Sequence, residues 1–591
     1  MIFSRENIKN INISALIRDS LDEGNLETIV FIVPTNRWAR TLKKELIESS
    51  PNRSSEKINI ETLTTITQKL LQSYDKYELI SSATSYVFLK ETIEEAEIEY
   101  FDSYKNDVPD GTLEELNNVI GEYKKEGIDS ARLLASSEEL SGYEKAKVFG
   151  IARIIDIYTK KCFAARTIEI GDIYSIIANL PQEKFSELFN KNFPSAVYIY
   201  INGFNEFSSL ELNIINKLSF IGGIKIFVNL DYNPRNEKLH KHLMTAYESF
   251  IAYDYNILGD INDHTKSSLY LKEYLSQNFL RSVKKKEDRF PIIKLEGEDR
   301  YKEVELIARE IKLLINEGIE PHKIAVVFNL IKEYSPLVRE IFSIYEIPFN
   351  LSDRYSLDTI PVISSIINFL EIEEEDYFYK SFFRGISSKF LSISDTDFTK
   401  LLKISSELRI ISGYKNWVDS INIQLSKGDD PELTNALKGI KYVHDTLKPF
   451  VEPQPIESFL ENLKNLIQNT GLFYKMLQSE TDNAEKNVKA LSVFYESIFE
   501  VLMQMKTYDG ESKLYSLSEY LNILRTICKW SRFNVKERSD YGIQITTLEE
   551  IRGLDFDYIV IGGMCDGDLP TKQNSDIFLF GDIKKQIEMQ F

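Results

Sequence analysis

The stretch TIVFIVPTNRWARTLKKEL, residues 28–46, decides the fold class. Its first six residues form a short, wholly apolar run rich in β-branched side chains, which is typical of a strand buried on both faces of a parallel sheet. A polar turn follows, and a helical pattern begins near Trp38. A buried strand that runs through a turn into a helix is the repeating unit of a parallel α/β sheet.

Similar stretches recur along the chain, and two long helical passages interrupt them. Strands are predicted at INIETL (58–63), AVYIYING (196–203), IKIFVNLD (224–231), PIIKLEG (291–297), KIAVVFN (323–329) and within QITTLEEIRGLDFDYIVIGGM (544–564). The passages at about 80–185 and 370–535 are charged and apolar at helical spacing. We therefore predict two α/β sheets, each completed by segments that lie far apart in the sequence.

Composition sets limits on the kind of protein. Lys+Arg 71 against Asp+Glu 91 gives a net charge of −20 over 591 residues, which argues against a uniformly basic nucleic-acid coat. Three scattered cysteines exclude a disulfide framework and a cysteine-rich metal site built from this chain alone. The polar N-terminus is unlike a signal peptide, and no apolar run approaches the roughly 20 residues of a membrane span. We expect a cytoplasmic protein.

A nucleotide-binding loop is not expected. GxxxxGK[ST] does not occur, and residues 1–27, taken to precede the first strand, contain only Gly24. After the strand at 196–203, Asn202, Gly203 and Asn205 are accompanied by a single acid, Glu206, which makes a poor Mg²⁺ site. The alternative interpretation is that Gly203 makes a tight turn and that Asn205 or Ser208 caps the next helix.

A second polar group follows the strand near residue 545. Thr546 and Thr547 could offer hydroxyl groups, and Arg552 a guanidinium group, to a phosphate backbone. Alternatively, the threonines cap the turn and Arg552 pairs with Asp555 or Glu549.

Four blocks, in this order and separated by two helical passages, resemble the AddB/RexB family. They are IVFIVPTNRWARTLKKEL (29–46), INGFNEFSSLELNIINKL (201–218), residues 300–349, and TTLEEIRGLDFDYIVIGGMCDGDLP (546–570). Members of this family are B subunits of AddAB-type ATP-dependent helicase–nucleases with a UvrD-like superfamily 1 helicase scaffold.

The resemblance implies two RecA-like parallel-sheet domains, each interrupted by a helical insertion. The implied boundaries are 1–78 and 189–285 for domain 1A, 79–188 for insertion 1B, 286–370 and 539–591 for a truncated domain 2A, and 371–538 for insertion 2B.

By the same resemblance, the chain is a helicase-like scaffold that has lost ATP hydrolysis, with no catalytic residue of its own. It would bind single-stranded or unwinding DNA in double-strand break repair, while a UvrD-family AddA-like partner supplies the motor in a heterodimer. In the family, the inactive helicase reads the Chi signal. The DNA-binding candidates are Thr35, Asn36, Arg37, Arg40, Thr62, Thr64, Thr547, Arg552, Trp530 and Arg532. For Trp530 the alternative is a packing role.

The departures from the family pattern carry equal weight. The Walker A loop and the Walker B acid pair are missing, so Asn202, Gly203, Asn205 and Glu206 form a degenerate Walker B region. Asn329 stands where motif IV has arginine, and Arg552 where many helicases have lysine.

The family's C-terminal nuclease domain, with its 4Fe-4S cluster and Mg²⁺, would lie beyond Phe591. We expect this chain to be a truncated reading frame or a fragment, with no cofactor, metal or nuclease activity. Two alternatives remain: an active superfamily 1 ATPase with an atypical nucleotide site, and a helical protein-interaction scaffold.

Overall fold

A computed structural model describes most of the chain. The described residues are 1–5, 13–51, 57–96, 98–104, 108–138, 140–232, 236–259, 292–391, 399–478, 481–535, 541–552 and 554–571. They form two sheets with helices on their faces and a large helical assembly, which confirms the predicted α/β class. Within these ranges no helix combines the length and apolar character needed to cross a membrane.

The first sheet contains six strands from both ends of the first half of the chain. They are β1 (Ile2–Ser4), β2 (Ile29–Ile32), β3 (Asn59–Glu61), β6 (Tyr198–Asn202), β7 (Lys225–Asn229) and β8 (Asn256–Gly259). Their order is β3-β2-β6-β7-β1-β8. The four strands β3, β2, β6 and β7 are parallel, and β1 runs antiparallel to β7 and β8.

Helices cover the first sheet on its faces. They are α1 (Ile13–Glu23), α2 (Asn36–Ser49), α3 (Leu63–Tyr74), α8 (Ile170–Asn179), α9 (Gln182–Asn192), α10 (Ser209–Leu218) and α11 (Met244–Ala252). All four residues of β2 are buried, as expected for an apolar strand between two helical layers. We call this sheet and its helices the first sheet unit.

The second sheet contains four strands, all parallel. They are β9 (Ile324–Phe328), β10 (Phe349–Leu351), β13 (Ile543–Thr546) and β14 (Tyr558–Gly562), in the order β10-β13-β9-β14. With α12 (Arg300–Asn316) and α13 (Ile331–Ile344) they form the second sheet unit. As in the first sheet, segments distant in sequence complete it, which confirms that prediction.

Two strand predictions are wrong. Residues 1–27 do not all precede the first strand, because Ile2–Ser4 forms β1, which at three residues is too short to show a period. Residues 292–297 form no strand, and Ile292 and Ile293 are 72% and 78% exposed. The boundary predicted between residues 285 and 286 lies outside the described residues.

The two helical insertions pack into one assembly, which we call the helical body. The first insertion supplies α4 (Ser82–Glu95), α5 (Asp110–Lys125), α6 (Ser130–Ser137) and α7 (Gly142–Ala164). The second supplies α14 (Pro361–Glu374), α15 (Tyr379–Ile386), α16 (Thr399–Glu407), α17 (Tyr414–Leu425), α18 (Pro431–Leu447), α19 (Ile456–Asn469), α20 (Leu472–Leu477), α21 (Thr481–Asp509) and α22 (Leu517–Trp530).

A short two-stranded ribbon lies where each insertion leaves and re-enters its sheet unit. The first neck pairs β4 (Glu78–Leu79) with β5 (Thr167–Ile168), and the second neck pairs β11 (Tyr355–Ser356) with β12 (Arg532–Phe533).

Candidate nucleic-acid interface

A cleft lies between the two sheet units, at the carboxyl ends of the strands of the first sheet. It encloses a cavity of about 380 Å³. The first sheet unit lines it with Trp38, Asn202, Gly203, Phe204, Asn205, Asn229 and Asp231, and the second with Arg552 and Asp555. In open α/β sheets ligands bind outside the carboxyl ends of the strands, so this is the expected place for a binding site.

The turn after β2 directs the start of α2 toward this cleft. Thr35 caps the helix, since its Oγ1 accepts a hydrogen bond from the backbone N–H of Trp38 (3.2 Å). The first turn therefore carries Asn36 and Arg37, and Arg40 follows one turn later. Asn36 and Arg40 are exposed. Free N–H groups and the dipole at a helix N-terminus favour anions, as do the two guanidinium groups.

Trp38 packs directly on Gly203. Gly203 has φ +89°, and a Cβ atom built there would lie 1.4 Å from Cζ3 of the Trp38 ring. Only glycine fits this position, both for its backbone conformation and for the approach of the indole. Gly203 thus makes the tight turn that the sequence suggested, and it also fixes an aromatic wall of the cavity.

Two amide contacts order the polar floor of the cleft. Asn229 Nδ2 donates to Asn202 Oδ1 at 2.8 Å, across the neighbouring ends of β6 and β7. With its amide oxygen turned toward the second sheet unit, Asn205 accepts from Nη1 and Nε of Arg552 at 3.2 and 3.1 Å. Arg552 therefore pairs with Asn205 rather than with Asp555 or Glu549. Ser208, and not Asn205, caps α10.

Glu550 links the two sides of the cleft. Its Oε2 accepts from Thr546 Oγ1 (2.5 Å) and lies 3.7 Å from Nη2 of Arg37. Its backbone N–H donates to Oγ1 of Thr547 (3.4 Å), so both threonines hold this turn, as the capping interpretation proposed. Thr546 is fully buried, whereas Thr547 keeps part of its surface exposed.

The acids near the cleft are few and dispersed. Glu206 is exposed, and Asp231 follows β7. Burial raises the pKa of Glu45 in α2, and Asp555 from the second sheet unit raises it further. Among the described residues, no three His, Cys, Asp or Glu side chains converge to hold a metal ion.

Four of the predicted DNA-binding residues have other roles or positions. Thr62 is 7% exposed and its hydroxyl caps α3, accepting from Thr65 N–H at 3.1 Å. Thr64 Oγ1 shares a 3.0 Å hydrogen bond with the Tyr174 hydroxyl. Trp530 stacks on a tyrosine inside the helical body, which agrees with the packing alternative. Arg532 is exposed, in the second neck.

The structure thus gathers Thr35, Asn36, Arg37, Thr547 and Arg552 around the degenerate Walker B residues. Sequence reasoning missed Trp38, Asn229, Asp231, Glu550 and Asp555. The polar residues that follow the apolar β7 run could have indicated Asn229 and Asp231, because all parallel strands of a sheet end at one edge.

The direction of β1 removes the usual place for a phosphate-binding loop. Met1 exchanges backbone hydrogen bonds with Leu230, just after β7 ends. Arg5, past the other end of β1, donates to Ser219 Oγ (3.3 Å) and stacks on Phe220, which precede β7. The chain therefore leaves β1 at the amino edge of the parallel strands. A phosphate-binding loop must instead lie at the carboxyl edge, at the cleft.

Comparisons with known proteins identify first the class and then the family. A family model described as "UvrD-like helicase C-terminal domain" matches residues 228–588, more than half of the chain, so the protein is a UvrD-like helicase in class. A second model, "ADDB, N-terminal", matches residues 9–264. The chain belongs to the AddB family.

The curated relatives share one description: each is the B subunit of an ATP-dependent helicase/deoxyribonuclease. One from Clostridium botulinum strain Hall is 24% identical over 511 residues, 80% of this chain and 44% of the relative. One from Thermoanaerobacter sp. strain X514 is 21% identical over 541 residues, 84% of this chain and 46% of the relative. The chain thus spans less than half the length of these relatives.

Proposed function

We propose that this chain is the helicase-shaped, strand-binding part of the B subunit of an AddAB-type helicase–nuclease that processes DNA breaks for recombinational repair. The observation that carries the proposal is the cleft. It places the start of α2, with Arg37, opposite Arg552 of the second sheet unit. Family membership and the shared description of the relatives support the assignment to a helicase–nuclease.

The cleft has the chemistry of a site for the backbone of a single strand. Phosphate groups are bound by guanidinium groups, hydroxyl groups and helix N-termini, and Arg37, Thr547 and the first turn of α2 supply one of each. Trp38 adds an aromatic ring of the kind on which bases stack. The net charge of −20 does not oppose this, because binding depends on the charge in the cleft and not on the sum over the chain.

The same cleft lacks the groups that would drive movement along DNA. Phosphoryl transfer needs a phosphate-cradling lysine and Mg²⁺-binding acids. The sequence has no GK[ST], and β1 directs the chain away from the cleft. We therefore propose that a partner of the AddA type supplies the motor. Reading of a Chi sequence by this chain remains part of the proposal.

A salt titration of single-strand binding tests the site. We expect binding of a fluorescent oligo(dT) that weakens steeply with salt, and we expect Arg37→Ala with Arg552→Ala to weaken it and to reduce the salt slope by about 0.7 per lost phosphate contact. Arg153→Ala is the matched control, since Arg153 is an exposed arginine of α7 in the helical body. Unchanged affinity of the double variant, with an intact thermal melt, would remove the cleft as the site.

An ATPase assay separates the alternatives. We expect no hydrolysis stimulated by single-stranded DNA. Stimulated turnover that is lost in Glu206→Gln would instead establish an active ATPase with an atypical site. Absence of any strand binding at low salt would favour a protein-interaction scaffold.

A further inference from the structure

The two helical insertions share a single hydrophobic core, although each interrupts a different sheet unit. Buried residues from Ala83–Ala165 and from Leu357–Phe533 belong to one continuous cluster. At their junction the rings of Tyr86 and Trp530 stack with centroids 3.7 Å apart and planes at 10°. Contacts of this kind are those of a domain interior, whereas mobile domains meet through smaller and more polar interfaces.

A buried charge marks the same junction. Lys161 of α7 is 1% exposed, and its Nζ lies 2.8 Å from Oε2 of Glu91. The ring of Tyr508, from α21 of the second insertion, covers this ammonium group at 5.0 Å. Lys529 of α22 pairs with Asp110 of α5 nearby. The insertions are therefore joined by apolar packing, by a desolvated cation and by an ion pair.

Each neck restricts the hinge between an insertion and its sheet unit. A hinge needs a few residues that are free to change φ and ψ, but in both necks the outgoing and returning segments pair as strands. In the second neck the Tyr355 ring lies between Arg339 of α13 (4.0 Å) and Lys486 of α21 (3.9 Å). This ring ties the second sheet unit to the helical body.

Direct contacts between the sheet units close the ring. Arg552 and Asn205 join them at one point and Arg37 and Glu550 at another. Lys332 of α13 also lies 3.4 Å from Glu114 of α5, which joins the second sheet unit to the first insertion.

We propose that the helical body and its necks make the two sheet units one rigid frame, which holds the cleft at a constant width. This goes beyond the proposed function and does not depend on DNA binding. Motor proteins of two domains close around a ligand by hinge or shear motion. A frame in which the first sheet unit, first insertion, second insertion and second sheet unit all contact in turn would instead act as a fixed guide for whatever passes through the cleft.

Distances between spin labels test the frame in the full chain. Lys191→Cys in α9 and Asn316→Cys in α12 place labels at exposed sites on the two sheet units, in a Cys565→Ser background. Lys191→Cys with Glu248→Cys in α11 is the matched control, because both labels then lie on the first sheet unit. We expect the distance distribution between the units to be as narrow as the control. We also expect Mg-ATP and oligo(dT) to leave it unchanged.

A broad or two-component distribution between the units, or a shift on adding Mg-ATP, would overturn the proposal. Tyr86→Ala with Trp530→Ala should broaden the distribution between the units and leave the control pair narrow. If this variant does not fold by circular dichroism, Tyr355→Ala tests the second neck instead. Folded variants with an unchanged narrow distribution would show that the helical body does not hold the cleft.

Discussion

The indole of Trp38 occupies the space that a side chain at position 203 would need, since a Cβ atom on Gly203 would lie 1.4 Å from Cζ3 of that ring. We expect Gly203→Ala to lower the free energy of unfolding by about 1–3 kcal/mol, because the ring must move and φ +89° is strained for alanine. Thermal or urea melts measure this change.

The matched control for that variant is Gly222→Ala, where a Cβ atom meets nothing within 4 Å; its effect should stay within about 0.5 kcal/mol. Adding Trp38→Leu to Gly203→Ala should cost less than the sum of the single changes, because the two residues are in contact. Additive losses would show that Trp38 does not rest on Gly203.

Glu550 holds Arg37 in the cleft, and its carboxylate would also repel a phosphate group. We expect Glu550→Gln to raise affinity for oligo(dT) up to about fivefold, the range of a partly exposed ion pair. Glu549→Gln, a neighbouring exposed acid, is the control for the simple loss of one negative charge. An equal gain in both variants would mean that Arg37 is not released from Glu550.

The sequence predicted the fold better than it predicted the site, for physical reasons. The β2 and β9 runs are apolar throughout, and a wholly buried strand between helices needs this composition. The direction of β1 depends on pairing with β7, more than 200 residues away, and three residues carry no pattern that reports it. The helical periodicity showed that the insertions bury a face, but not that they bury it against each other.

The site candidates divide along the same line. Arg37 and Arg552 were chosen because each follows a strand of a parallel sheet, and the sheets bring those ends to one cleft. Thr62 follows a strand too, yet its hydroxyl is used by its own helix, since a threonine before a helix is usually its cap. No local pattern distinguishes these two outcomes.

Trp530 should contribute to stability and not to DNA binding. We expect Trp530→Ala to cost about 2–4 kcal/mol of unfolding free energy, because it removes the ring that stacks on Tyr86 between the insertions. Arg532→Ala, two residues away and exposed, should change stability by less than about 0.5 kcal/mol. A folded Trp530→Ala protein with wild-type stability and weakened oligo(dT) binding would restore the predicted DNA contact.

Lys161 should be needed to keep Glu91 charged inside the helical body. We expect Lys161→Met to cost about 3 kcal/mol near pH 8, because it leaves a buried carboxylate without its partner at 2.8 Å. Lys160→Met is the control, since Lys160 is 74% exposed and pairs with Asp156 on the surface.

The pH dependence of that variant has a definite sign. Burial raises the pKa of Glu91, and the ammonium group of Lys161 opposes this, so its removal raises the pKa further. A carboxyl with a raised pKa in the folded state is least unfavourable when protonated, below its unfolded pKa of about 4.3. The deficit of Lys161→Met should therefore shrink as the pH falls from about 8 to 5. A deficit that grows on acidification would contradict the assignment.

Thiol reactivity reports whether the helical body opens in solution. Cys162 and Cys528 are 1% and 3% exposed within it, whereas Cys565 is exposed. Burial raises the pKa of Cys162 to about 12 and also raises that of Cys528, so neither forms the reactive thiolate near neutral pH. We expect maleimide to label one thiol in the native protein, from pH 7 to 9, and three in denaturant. Cys565→Ser should abolish native labelling, and labelling of a second thiol at the rate of the first would mean that the insertions separate readily.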